Sequence, residues 1–146
     1  MNVDKAEWYR NRILWKASQH KLFEDNESCY EGSQLSEIQK NKVFDIDPDL
    51  DVVLLFWHSQ DKWTALGTEM LCSVYEDSLI TVELDKIHKG VVLDQLESQS
   101  GQDAKFESEF ICLSNLNEKI WAPSGSNLFA LINILRMFPL AEKKIA

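Results

Sequence analysis

The sequence predicts an α+β fold: a curled antiparallel sheet of six to seven strands, a partly open barrel, capped by a C-terminal helix and preceded by an N-terminal helix. Three observations carry that expectation. Helix formers run without glycine or proline from Asp4 to Phe23, four β-rich runs follow one another between residues 51 and 84, and an apolar segment at helical spacing follows Pro123 and Gly125. A chain of 146 residues, 45% hydrophobic and with five tryptophans, is long enough to bury one proper core. The expected organisation is a single domain, 1–146. It comprises an N-terminal helix (1–24), a connector (25–50), an antiparallel sheet (51–122) and a C-terminal helix (124–139).

The first helix has two small apolar faces instead of one stripe. Trp8, Trp15 and Leu22 lie on one side and Ala6, Tyr9, Ile13 and Ala17 on the other, as in a helix wedged between two surfaces. Residues 1–22 carry five basic side chains (Lys5, Arg10, Arg12, Lys16, Lys21) against Asp4 and Glu7, which leaves −12 on the rest of a chain whose net charge is −9. The helix is expected to dock on its own acidic body. Residues 24–42 are polar and read as a connector with a short helix near Leu35 to Lys40.

The strands are DVVLLFW (51–57), KWTALG (62–67), EMLCSVY (69–75) and SLITVEL (78–84), rich in β-branched and aromatic residues and separated by polar turns such as Glu76-Asp77. Alternation in the fourth run sets Ile80, Val82 and Leu84 against Thr81, Glu83 and Asp85, one buried face and one wet. Extended chain is expected again over Ile87–Leu93, 105–113 and 118–122, with a polar loop at 98–104. Ser124 or Ser126 is the expected N-cap of the last helix. Around that helix Leu128, Leu131, Ile132, Leu135 and Phe138 form one side, while Phe129, Ala130, Ile134 and Met137 flank or oppose it. Each large side chain left in water there forfeits about 1.5–3 kcal/mol of burial, so a cover is expected. The N-terminal helix, a second copy of the chain and a different protein are the three candidates.

At KWTALGTEMLCSVYEDSLITVELDKIHKGVVLD, residues 62–94, the order of strand, small-residue turn Gly67-Thr68, strand, turn and strand resembles bacterial pleckstrin-homology-like and GRAM-type domains. The resemblance covers roughly residues 50–139 and implies a curled sheet closed by a C-terminal helix, in a superfamily that docks lipids, peptides and proteins. The chain departs from the lipid-binding members. Glu69 stands where many relatives place a basic residue after the threonine, and Lys62 is the one cation of the first hairpin.

The composition excludes several functions. A net charge of −9 and a pI near 4.8 oppose binding to nucleic acid or an anionic membrane, where affinity comes from cations on phosphate. The most apolar stretch, LFALINILRMFPL, is too short to span a bilayer and is interrupted by Asn133 and Arg136. Cys29, Cys72 and Cys112 are odd in number and far apart, which points to a reducing, cytoplasmic setting, with Cys29 in the connector as the expected exposed thiol. His20, His58 and His88 form no metal-binding spacing, and no nucleophile elbow or glycine-rich phosphate loop is present. DIDPDLD (45–51) repeats carboxylates like the start of a calcium loop, but has Leu50 where an EF-hand needs its glycine and Phe56 where it needs glutamate.

No catalytic residue, metal ligand or cofactor is therefore expected. The expected function is a non-enzymatic protein-interaction module, in its sharper form an acidic immunity or inhibitor protein against a basic toxin. The expected contact residues are Phe129, Ile134 and Met137 for an apolar partner or a homodimer, and Asp45, Asp47, Asp49 and Asp51 for a basic one. The alternatives are a small-molecule or lipid-chain binder using the inside of the curled sheet, and a carboxylate-based hydrolase built on a pair such as Glu107 and Glu109.

Overall fold

A computed structural model describes residues 3–22, 28–87, 90–93, 110–114 and 116–138. The first helix, α1 (Val3–Gln19), buries Tyr9, Ile13 and Ala17, spaced by four so that they share one face. It ends four residues short of Phe23 because Lys21 takes a positive φ of 56°, and buried Leu22 returns its N–H to the Ala17 carbonyl at 3.1 Å. The Tyr9 hydroxyl donates to Asp85 at 2.6 Å and the Lys5 ammonium reaches the same carboxylate at 3.3 Å. Arg10 pairs with Asp51. The basic helix does dock on the acidic body.

The expected connector is more ordered than its composition suggests. It contributes β1 (Cys29–Glu31), a 3-10 turn (Gly32–Gln34) and α2 (Glu37–Ile46). A capping box starts α2: Ser36 Oγ accepts from the Gln39 N–H at 3.2 Å, and the Gln39 side chain accepts from the Ser36 N–H at 2.9 Å. The helix runs well past Lys40, to Ile46, because its stop lies at Asp47-Pro48.

Five strands form an antiparallel sheet in the order β1, β2 (Val52–Ser59), β3 (Lys62–Gly67), β4 (Met70–Tyr75) and β5 (Ser78–Glu83). After a second 3-10 turn (Leu84–Lys86), β6 (Val91–Leu93), β7 (Phe110–Leu113) and β8 (Glu118–Trp121) make a separate three-stranded sheet. The α+β class and the sheet that does not fully close are as expected, but the strands fall into two hydrogen-bonded groups instead of one curled sheet. The extended segment expected from Ile87 begins only at Val91. The expected loop 98–104 and residues 105–109 lie outside the described residues.

A register shift between Val52 and Leu54 marks a bulge in β2 that turns both Val53 and Leu54 into the main core, while Leu55 faces the other side of the sheet. The inner face (Leu54, Phe56, Leu66, Leu71, Val82) packs on α1, on the second sheet and on the last helix, α3 (Ser126–Leu135). The outer face (Leu55, Trp63, Ala65, Cys72) is covered by Val43 of α2. Gly125, at φ 88°, is the N-cap of α3, with no side-chain cap bond from either expected serine.

Two hydroxyls join the sheets. Thr64 of β3 and Ser73 of β4 are paired in register and buried, 2.7 Å apart. Thr64 Oγ1 donates to the Trp121 carbonyl, and Ser73 Oγ accepts from the Trp121 N–H at 3.1 Å. The edge of β8 thus has its backbone polar groups satisfied by side chains of the other sheet, where no ladder exists.

Removing either hydroxyl strands a buried backbone group, at a cost of about 1–3 kcal/mol. Ser73→Ala is expected to lower stability in urea unfolding by that amount. Ser78→Ala, at an exposed position, is expected to change it by less than about 0.5 kcal/mol.

Candidate acidic docking corner

The chain turns from α2 into β2 at the carboxylate run, and there the surface opens into a cleft of ≈ 300 Å³. Its walls are Leu35, Val43, Phe44, Leu50 and Val52, and its polar groups are Lys40, Asp47 and Asp51. Phe44 is 63% exposed.

Backbone fit positions this corner. A Cβ on Gly32 would land on the Val52 carbonyl oxygen, inside contact distance. A Cβ on Gly67 would stand 2.7 Å from Leu50 Cδ1 and 3.0 Å from the Met70 carbonyl oxygen. The segment 50–52 is therefore clasped between the 3-10 turn after β1, where only hydrogen fits at Gly32, and the end of β3, where Gly67 makes a close contact. At the free end, the Asp49 N–H donates to Asp47 Oδ1 at 3.0 Å, and Arg10 from α1 holds Asp51.

Of the four predicted carboxylates, Asp47 and Asp51 meet at the cleft, while Asp45, at the end of α2, and Asp49 stand exposed outside its lining. Phe44, Lys40 and Arg10 are participants that the carboxylate pattern did not indicate. The signal for Arg10 was the charge asymmetry of the first 22 residues; Phe44 gave none, since an apolar residue in an amphipathic helix reads as core.

The other predicted surface does not open to a partner. Ile134 has 0% exposure and Phe129 and Met137 are half-buried, because α1, β6 and β7 pack against α3 and the Tyr9 ring lies 5.4 Å from that of Phe138. The cover for the second side of the terminal helix is intramolecular. Arg136 adds a tie from its Nε to the Val91 carbonyl at 3.0 Å.

The inner face of the five-stranded sheet, where a small ligand was the alternative, belongs to one continuous apolar core with residues of α1, the second sheet and α3. Glu107 and Glu109, the alternative hydrolase pair, lie outside the described residues, as does His88. Among the described residues no three His, Cys, Asp or Glu side chains are grouped to hold a metal, and no helix is long and apolar enough to cross a membrane. Cys29 is not an exposed thiol. It is buried in β1 facing the main core, where desolvation pushes its thiol up to about 12. Cys72, buried on the outer face, is pushed up to about 11 by burial and by the charge of Asp47. Both are inert thiols rather than nucleophiles.

The chain matches no protein-family model, no curated protein and no solved structure.

Gly32→Ala is expected to shift the urea midpoint of unfolding downward, because the new Cβ would collide with the Val52 carbonyl. The thiols set a second expectation. The unfolded chain releases thiol protons above its ordinary value near 9, while Cys29 and Cys72 keep theirs in the fold until about 12 and 11. Stability therefore falls as pH rises from about 9 to about 12, and Tyr9, raised by burial and by its bond to Asp85, pulls the same way. Unfolding curves at pH 8, 9 and 10 check the direction. Cys29→Ala with Cys72→Ala should flatten the slope.

Proposed function

We propose that this chain is a protein-interaction module that receives cationic side chains of a basic partner at the corner between α2 and β2, with no chemistry of its own. One observation carries the reading: an open cleft joins apolar walls to Asp47 and Asp51, with Asp45 and Asp49 exposed beside it. Lysine and arginine have this same composition, an apolar stem and a charged head. The stem gains by covering Phe44 and Leu50, and the head by meeting a carboxylate. Lys40 on the same wall opposes a second cation at its own position and so fixes how a basic segment lies. A net charge of −9 adds steering of the encounter. An immunity or inhibitor protein acting on a basic toxin is the narrower form of this reading, supported by the same charge. The pleckstrin-homology-like resemblance of residues 50–139 is compatible with a docking role and stays a proposal of its own.

The probe is an alternating arginine–leucine hexapeptide titrated calorimetrically into the full chain. Affinity is expected to fall between 0.05 and 0.5 M salt, with Asp47→Asn and Asp51→Asn each weakening binding about two- to five-fold, as for exposed ion pairs worth about 0.5–1 kcal/mol. Phe44→Ser should weaken it without changing the salt dependence. Salt-independent affinity, or full affinity in the Asp47→Asn, Asp51→Asn double variant, would overturn the proposal.

A further inference from the structure

On α1, away from the buried Tyr9–Ile13–Ala17 face, Trp15 is 46% exposed. The Arg12 guanidinium lies 4.4 Å from its ring centroid and the Lys16 ammonium 5.9 Å. Stacking on the indole holds both cations in place. Neither forms an ion pair with a carboxylate among the described residues. The result is a platform of one half-exposed aromatic ring flanked by two cations that have no ion pair among the described residues.

The acidic corner presents the complement: bare Phe44 and the exposed carboxylates Asp45 and Asp49. Within one copy the two surfaces do not meet. Arg10 occupies Asp51, and Arg12, two residues on, points about 200° further round the helix. An α1 cation already pairs with this corner in cis, and Arg12 and Lys16 have no carboxylate partner among the described residues.

We infer that a second copy of the chain is the partner these surfaces fit: the Arg12–Trp15–Lys16 platform of one copy docks on the Phe44, Asp45 and Asp49 rim of the next. This deepens, and rests on, the reading of the corner as a receptor for cations. The contact is heterologous, because platform and rim are different patches, so each dimer keeps one free platform and one free rim and association continues with concentration instead of stopping at two copies. The negative charges of two copies repel at long range, but at about 0.15 M salt the Debye length is about 8 Å, so the distant charges are screened while contacting pairs persist.

Sedimentation of the full chain tests the inference. At 0.15 M salt the weight-average mass is expected to climb above 16.9 kDa as concentration rises, and to fall back in 1 M salt. The variant Arg12→Glu with Lys16→Glu, and the variant Asp45→Lys with Asp49→Lys, should each remain monomeric, with circular dichroism confirming that both fold. Mixed one to one, they should associate, since the wild-type rim of the first variant meets the wild-type platform of the second and the reversed platform of the first meets the reversed rim of the second. A wild-type mass of 16.9 kDa at every concentration would overturn the inference, as would association of either variant alone or failure of the mixture to pair. If association fails while the arginine–leucine peptide still binds, the receptor reading of the corner survives without self-association. If peptide binding fails too, the corner reading falls with it.

Discussion

The architecture depends on how β8 is held against the five-stranded sheet. A strand edge buried at a sheet–sheet junction carries N–H and C=O groups that cost free energy unless paired, and here the pairing comes from two side-chain hydroxyls. Thr64 and Ser73 sit side by side on β3 and β4, bonded to each other, one donating to the Trp121 carbonyl and the other accepting from its N–H. A serine–threonine pair suits this role because each hydroxyl donates once and accepts twice, so the two can satisfy each other and the strand edge together. The Trp121 indole N–H, by contrast, is buried without a partner among the described residues, a cost that burial of the large ring offsets.

Fixing β8 in this way sets the geometry of everything after it. Strand β8 packs against β3 and β4, and after Gly125 redirects the chain α3 packs on β6, β7 and α1. One flank of α3 then faces the strands and the other meets α1, which is anchored by Tyr9 and Lys5 on Asp85. The apolar terminal helix is thus an internal element with cover on both sides, and the basic charge of α1 serves partly to hold that cover in place.

The outer face of the sheet follows a different logic. Val43 of α2 is buried against it with Leu35 and Leu50 packed alongside, while Phe44 and Ile38 of the same helix remain in water. The two glycine contacts at Gly32 and Gly67 fix the chain between α2 and β2. Apolar surface and carboxylates are consequently presented together on a rigid frame, which lowers the ordering cost that a floppy acidic loop would bear on binding.

The strands β2 to β5 were legible because period-two alternation and tight turns are local signals: Trp57, Trp63, Val74 and Leu79 fall in one cross-strand row, as the turn spacing required. The terminal helices and the docking of a basic helix on an acidic body were legible from composition and spacing. Strand β1 was not, since three residues around Cys29 carry no period and gain their conformation only from pairing with β2. The length of α2 was understated because residues 24–42 are polar with weak periodicity and so carry little helical signal. What the sequence by itself determined was therefore each segment's preference and the chain's charge. Which strands share a sheet, whether Cys29 and Ile134 see water, and which of four equivalent aspartates line a cleft were decided by contacts between residues far apart in the chain, and local preference holds no information about those distances.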